Sequence, residues 1–317
     1  MPAFPTTPTE PAVLCLDVGG SSVKSGVVLS GGVVVVGPYR AAVNSSGEAA
    51  EILDALASAL LRLRRESAQL HVRGTCMAMP GPFDYENGVS RMRGIGKYDA
   101  IYGMPLADAV EERAPSLAGL PWRWLNDANA FALGELRFGA AAGVGRAMIL
   151  TLGTGCGSAF VVGGQLVTSG PGVPADGYVY PLLHKGRPVD ELLSARGVER
   201  LWQEVASGDA SEGDAGAGPS TVTAQQVGEL AGSGDGRALE ALRRFGALLA
   251  AALRPVFTAF APEIVVLGGQ VSRSLPYFES AAVAAGAPPL VAAAAPELSA
   301  LRGAAAHFLD RTRDVAE

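Results

Sequence analysis

The sequence predicts an α/β protein built as two domains, or as one large domain with a deep cleft. Three observations carry that expectation. The chain has 317 residues. Hydrophobic residues make up 49% of it and charged residues 18%, which is enough apolar matter for a real core. A strand, a Gly turn and a second strand occur near the start of the chain and again near its middle, each followed by further strands and helices. This is an echo of topology, with no fixed sequence period.

Taken in order, residues 13–17 (VLCLD) read as a buried strand ending in an acid. Gly19 and Gly20 make the turn, and 23–29 and 33–36 read as two more strands. Residues 48–63 place Ile52, Leu53, Leu56, Leu60 and Leu63 at helical spacing. Residues 72–79 form a strand that stops at Pro80-Gly81-Pro82, 84–105 are rich in loop residues, and 106–113 are helical. The pattern then restarts. Residues 122–125 read as a strand, 128–138 as a helix, and 147–152 as a strand entering a Gly-rich turn. Residues 158–162 and 165–167 form a hairpin over Gly163-Gly164. Residues 207–220 are small and polar and read as a flexible loop. Residues 237–257 predict a long helix with a bend at Pro255, 264–267 a strand, and 301–313 a final amphipathic helix.

Composition excludes several classes of function. The formal net charge is −6 and no Lys/Arg run stands out, which argues against nucleic acid as a partner. A nucleotide would have to be held by backbone N–H groups and a divalent cation. Cys15, Cys76 and Cys156 are far apart and odd in number, so neither a disulfide framework nor a zinc spacing can be read from them. They fit a reducing compartment, and a cytoplasmic protein is expected. Residues 1–11 lack a basic start followed by an apolar run, so they read as a frayed leader and not as a signal peptide. The apolar stretch 247–262 is broken by Arg254 and Pro255, and 281–296 is rich in Ala, Gly and Pro. Neither makes a membrane span.

Four motifs carry candidate chemistry, each with a plainer alternative. Asp17-Val-Gly-Gly-Ser-Ser-Val-Lys24 puts a carboxylate at a strand end, where it can face a metal. Gly19 and Gly20 let backbone N–H groups approach phosphate, with Ser21 and Lys24 as further donors. The alternative is a hairpin turn with a surface lysine. Thr151-Leu-Gly-Thr-Gly-Cys-Gly157 repeats the arrangement, with Gly153, Thr154, Gly155 and Gly157 able to wrap a phosphate tail or simply to turn a hairpin. It matches neither the dinucleotide nor the P-loop spacing. Gly268-Gly269, after the strand 264–267, lets a flat base lie on the backbone, or is an ordinary turn. Leu125-Asn-Asp-Ala-Asn129 opens a helix. Asp127 is either its N-cap or a general base, with Asn126 aiming a hydroxyl. Together, a Gly turn in each half could close on one phosphate chain while a carboxylate receives a hydroxyl.

DVGGSSVK, PGPFD, LNDANAFALGE, LTLGTGCGSAFV and IVVLGGQVS resemble the ROK family of repressors and sugar kinases, from about residue 12 to 310. The resemblance implies the two-domain actin-like ATPase (ribonuclease-H-like) fold with a central cleft. The small domain would be 12–124, completed by the helix 301–313, and the large domain 125–300. It implies an ATP-dependent sugar kinase with Mg2+ positioned through water by Asp17, and a homodimer. Gly19, Gly20, Gly153, Thr154 and Gly155 would hold phosphates and Gly268-Gly269 the adenosine. Asn126 and Asp127 would hold the sugar, with Asp127 as base, and the Gly81 loop would line the site.

The sequence departs from the family pattern on the sugar side. Where most family kinases carry Glu-x-Gly-His and a zinc-binding cysteine segment, this chain reads GPGVPADGYVYPLLHKGRPVDELLSARGV, without cysteine, so no structural zinc is expected. Ala175 stands for the Glu and Tyr178 for the His, while Asp176 lies beside the lost acid. Asp190 matches a further sugar-binding Glu, or serves as a helix-start carboxylate. Lys97, Tyr98 and Tyr102 line the sugar side or belong to a solvated loop with core aromatics. Tyr178 could stack on a sugar or admit a bulkier, β-glucoside-like acceptor. The competing function is a weak or inactive sugar-binding sensor. A DNA-binding regulator is disfavoured because only a dozen residues precede the first strand, and a polyphosphate donor because no basic track is visible.

Overall fold

The computed structural model describes residues 10–208 and 222–313. Nearly all of the expected leader, and the loop expected at 207–220 from residue 209 on, lie outside the described residues. Two compact units are present: residues 10–139 with 295–313, and residues 140–294.

The first unit begins with β1 (Pro11–Val18), β2 (Ser22–Leu29) and β3 (Val34–Ala42), then α1 (Ala49–Glu66) and β4 (His71–Met79). A short pair, β5 (Phe83–Asp84) and β6 (Val89–Ser90), overlaps the stretch 84–105 read as rich in loop residues. It is followed by α2 (Leu106–Glu111), β7 (Trp122–Asn126) and α3 (Asp127–Phe138). The sheet runs β3-β2-β1-β4-β7, antiparallel across β1, β2 and β3 and parallel across β1, β4 and β7. The apolar run of β1 is explained by its central place, because a strand covered on both faces needs no polar alternation. Ile52, Leu56, Leu60 and Leu63 of α1 close over Leu14, Leu16, Val27 and Met77.

The second unit has β8 (Arg146–Leu152), β9 (Cys156–Val162), β10 (Gln165–Val167), the small hairpin β11 (Leu183–His184) and β12 (Arg187–Pro188), and helices α4 (Val189–Leu192), α5 (Ala195–Gly208), α6 (Ala224–Gly232) and α7 (Gly236–Phe260). It ends with β13 (Ile264–Gly268), α8 (Leu275–Ala284) and β14 (Leu290–Ala292). Its sheet, β10-β9-β8-β13-β14, repeats the first: an antiparallel triple joined to two parallel strands. The echo read from the sequence is thus an echo of strand order. Phe160 meets Phe260 edge-on at 4.8 Å, and Phe245 meets Phe278 at 5.3 Å. The helix α7 continues through Pro255 to Phe260. Pro255 is exposed, so water can serve the carbonyl that its missing N–H leaves unbonded. No helix among the described residues is long and apolar enough to cross a membrane.

The chain then returns to the first unit as α9 (Ser299–Arg313), which packs along α3 and under β1 and β4. The sequence boundary was drawn at 124/125, but the compact units divide after Gly139. The reason is that Gly134 of α3 lies on the Ser299 carbonyl and Gly303 of α9 on the Ala130 carbonyl, so α3 is bound to α9 at backbone contact.

Candidate active site

In the first unit three neighbouring parallel strands deliver the candidate residues at their carboxyl ends, where ligands of open α/β sheets bind. Asp17 stands near the end of β1, Gly81 just beyond β4, and Asn126 and Asp127 where β7 passes into α3. The register opposes Asp17 to Lys24 across the β1–β2 hairpin, and their side chains pair at 2.9 Å. Lys24 was expected among the phosphate contacts, but its ammonium is committed to Asp17 Oδ2. Asp17 keeps Oδ1 for other work.

The Gly19–Gly20 turn is held from behind. The Gly19 amide donates to the Ser22 carbonyl at 2.9 Å. The Ser45 hydroxyl donates to the Gly20 carbonyl, and the Tyr98 hydroxyl to the Gly19 carbonyl. A Cβ at Gly20 would meet no atom within 4 Å, and its φ is not left-handed. No packing or backbone reason inside the protein calls for glycine there, whereas a ligand approaching the bare backbone would. Ser21 is exposed beside it. Tyr98 is fully buried, so of the two readings of the 96–103 stretch the core reading holds for Tyr98. Tyr102 is 44% exposed and lies 5.3 Å below the Arg93 guanidinium. Burial first, then the charges of Asp127 and Asp17, push the Tyr98 hydroxyl up, so it is a neutral donor.

Asn126, and not Asp127, caps α3: its side-chain oxygen accepts from the Ala128 and Asn129 amides at 3.0 and 3.2 Å. Its amide nitrogen donates to the Tyr85 hydroxyl at 3.3 Å, and that hydroxyl donates to the Met79 carbonyl at 3.1 Å. Tyr85 also lies 3.4 Å from where a Gly81 side chain would start. Tyr85 thus ties the Gly81 loop to Asn126. The sequence reading missed it, and only its nearness to PGPFD could have suggested it. With the cap filled by Asn126, Asp127 accepts one N–H bond, from Ala128 at 2.9 Å, and is otherwise available. Its carboxyl is held above the usual range, by burial first and next by Asp17, with Lys97 pulling the other way.

In the second unit, Gly153, Thr154 and Gly155 turn between β8 and β9, and Gly157 lies in β9. A Cβ at Gly153 would meet nothing within 4 Å, and Thr154 is exposed. At Gly155 a Cβ would strike Asp190 Oδ1 at 2.6 Å. Asp190, expected at the sugar, has both oxygens engaged elsewhere: Oδ1 accepts from the Cys156 amide at 2.9 Å and Oδ2 pairs with Arg196 at 2.9 Å. The Ala195 amide adds a bond to the Gly153 carbonyl at 2.8 Å, so the α4–α5 segment braces this turn. Gly269, at φ +81°, would place a Cβ 2.3 Å from the Leu152 carbonyl, so close packing of β13 on β8 already requires glycine there. Gly268 is the last residue of β13. Asp176 is exposed on a short turn at φ +55°, an uncommon conformation for a side-chain-bearing residue. Tyr178 follows, its ring 5.5 Å from that of Tyr180. The buried Ser158 hydroxyl fixes this segment by donating to Gly177 and accepting from Val179.

The sequence model of the ROK family matches residues 13–311. The chain belongs to the ROK family. It is 29% identical over 269 residues to a glucokinase of Thermotoga maritima, covering 82% of each protein. It is 31% identical over 231 residues to an N-acetyl-D-glucosamine kinase of Vibrio cholerae, covering 67% of this chain and 70% of that one. Its fold is that of a ROK family glucokinase from Streptomyces griseus solved with glucose and AMPPNP, at TM-score 0.72 and 24% identity over 93% of this chain and 98% of that one. The actin-like ATPase fold implied by the motifs is therefore the fold of this ROK protein.

Proposed function

We propose that this ROK protein is an ATP-dependent sugar kinase that uses Asp127 as general base. The observation that carries the reading is the division of labour at the head of α3. Asn126 caps the helix, and Asp127 is left at the same end of the sheet as the Gly19–Gly20 turn, two strands away, with its proton affinity raised. A base poised above the ordinary carboxylate range is a better acceptor for a hydroxyl proton. The sugar hydroxyl would give its proton to Asp127 as its oxygen bonds to the γ-phosphorus. The bond from that phosphorus to the bridging oxygen breaks, and its electrons leave with ADP.

Within the first unit, Gly19, Gly20 and Ser21 would donate to phosphate oxygens, and Gly81, Asn126 and Asp127 would hold the sugar. Within the second, Gly153, Thr154, Gly155 and Gly157 would serve phosphates and Gly268-Gly269 the base. Asp176 and Tyr178 would face the acceptor in place of the family's Glu and His. Lys24 acts through Asp17, and Asp190 through the turn it braces.

Magnesium fits this donor set. Among the described residues no group of three or more His, Cys, Asp or Glu could hold a metal. Mg2+ in phosphoryl transfer asks for only one or two carboxylates, the rest being phosphate and water, and Asp17 Oδ1 supplies one directly or through water. Bound there, the ion would supply charge neutralisation on the phosphates.

The test is Asp127→Asn in a coupled ADP-release assay over glucose, N-acetylated hexosamines, mannose and disaccharides. Turnover is expected to fall roughly 10²–10⁴-fold with the fold intact; near-normal turnover refutes the base. The replacement of Glu and His by Ala175 and Tyr178 favours one second reading, a sugar sensor. Nucleotide and sugar binding by the wild type without ADP release would establish that instead.

A further inference from the structure

We propose that Lys97 is a catalytic residue of this kinase, contacting the phosphoryl group as it passes from the nucleotide to the sugar. The proposal rests on the kinase reading above and goes beyond it, since neither the glycine turn nor the strand ends account for this lysine.

The first observation is the electrostatic need. The turn that would take the phosphates carries no uncommitted cation of its own, because Lys24 is spent on Asp17 at 2.9 Å, with both side chains largely shielded from water. Asp127, which forms no ion pair among the described residues, stands at the same end of the sheet as that turn. A further anion arriving beside it is repelled unless a cation meets it there.

The second observation is where Lys97 stands. It is half-buried, among the described residues no carboxylate pairs with it, and its charge lowers the raised proton affinity of Asp127. Its backbone is pinned on both sides. The Gly96 carbonyl accepts from the Ser46 hydroxyl at 2.9 Å, and the Tyr98 amide donates to the Ser45 carbonyl. The Tyr98 hydroxyl bonds the Gly19 carbonyl, and the Ser45 hydroxyl bonds the Gly20 carbonyl. The residue carrying the ammonium is thereby locked to the same turn that would hold the phosphates. Tyr98 is fully buried and sits at φ +59°, a conformation that persists in a bulky residue only where the surroundings enforce it. Gly94 and Gly96, at φ +71° and +75°, shape the approach with open space around them.

The third observation is the choice of residue. The chain has 25 Lys and Arg together, of which only Lys24, Lys97 and Lys185 are lysines. Surface charge is supplied by arginine almost everywhere else. Two of the three lysines flank the first glycine turn. A compact ammonium on a flexible stem can follow a moving phosphoryl oxygen in a way the planar guanidinium fork cannot. As the γ-phosphorus exchanges its bridging oxygen for the sugar oxygen, the charge on its outer oxygens stays on the group. Lys97 neutralises that charge without giving up a proton.

The experiment compares Lys97→Met, Lys97→Arg and wild type by ADP release, with sugar affinity and affinity for a non-hydrolysable ATP analogue read by calorimetry, and Tm as a control for folding. Lys97→Met is expected to lose roughly 10²–10³-fold in kcat, with sugar affinity within about twofold and Tm within a few degrees of wild type, the size of a surface substitution. Lys97→Arg should recover part of the loss, since it restores charge but not shape. Turnover of Lys97→Met within about threefold of wild type, or a loss confined to sugar affinity, overturns the proposal; a threefold change is under 1 kcal/mol. If wild type releases no ADP with any sugar, the kinase reading has failed. Tripolyphosphate affinity then decides: a fall of about tenfold or more in Lys97→Met, ~1.4 kcal/mol, keeps the anion contact, and equal affinity ends it.

Discussion

Asp127 and Asp190 were both candidate substrate contacts, and their surroundings separate them. Asp127 is a carboxyl whose folded-state proton affinity is raised by burial and by Asp17. A raised carboxyl favours the folded state fully below the unfolded value, and that contribution is lost as pH rises through the folded value. At neutral pH the ionised Asp127 therefore weakens the fold. Asp127→Asn is expected to raise Tm at pH 7 while removing turnover, the trade common at active sites. The gain should shrink as pH falls through the carboxylate range, and a Tm difference that does not change between pH 4 and 7 contradicts it. The acid limb of kcat/KM, which reports the ligand-free protein, should likewise lie above that of an ordinary aspartate. Asp190 is the reverse case, since Cys156 and Arg196 use both of its oxygens. Asp190→Ala is expected to weaken an ATP analogue by about tenfold, the size of one charged hydrogen bond, and to leave sugar affinity alone. A loss of sugar affinity would return Asp190 to the sugar.

Helix α3 shows how an element can carry a site and an architecture at once. Its first turn presents Asn126 and Asp127, and its later turns lie on α9 with glycine against backbone. An alanine at Gly303 would set its Cβ 1.8 Å from the Ala130 carbonyl, and one at Gly134 would set it 1.9 Å from that of Ser299. Neither helix can yield without moving β7, β1 or β4. Gly303→Ala is therefore expected to cost about 1–3 kcal/mol or more, visible as a lower Tm and lower urea midpoint. The motif LNDANAFALGE announced the head of α3, and the glycine inside it marked the contact without naming the partner. Helices α5, α6 and α8 went unread. For α6 a signal was present, because Thr223 and Gln226 form a capping box, and for α8 Pro276 stands in the first turn. α5 was legible as well, since Val198, Leu201, Trp202 and Val205 fall at helical spacing, whereas the alanine-rich run of α8 has too little periodicity to separate it from loop.

At the scale of the molecule, the first unit is made of two distant pieces of chain. Leu301, Ala304, Ala305 and Phe308 of α9 are buried, and Phe308 lies against Gly74 of β4. A chain cut after Ala294 would leave that face of the sheet open, and it is expected to be recovered insoluble or with the loose packing reported by dye binding. The whole protein should release ADP only with a divalent cation. Chelation should abolish turnover, magnesium should restore it, and Tm without ligand should stay constant, because the described residues form no structural metal cluster.

The sequence by itself determined the α/β class, the two hairpin-led halves, the five motifs and the acid at the head of α3. These depend on local spacing: alternation and helical periods, glycines at turns, and a carboxylate next to its cap. It left open whether Asp127 caps the helix, whether Lys24 is a free surface lysine, and which groups hold Asp190. Those were decided by partners far away in sequence, such as Tyr98 on Gly19, Asp190 on Cys156 and α9 on α3. A side chain's role follows from what satisfies its charge and hydrogen bonds, and only the folded chain brings those groups within reach.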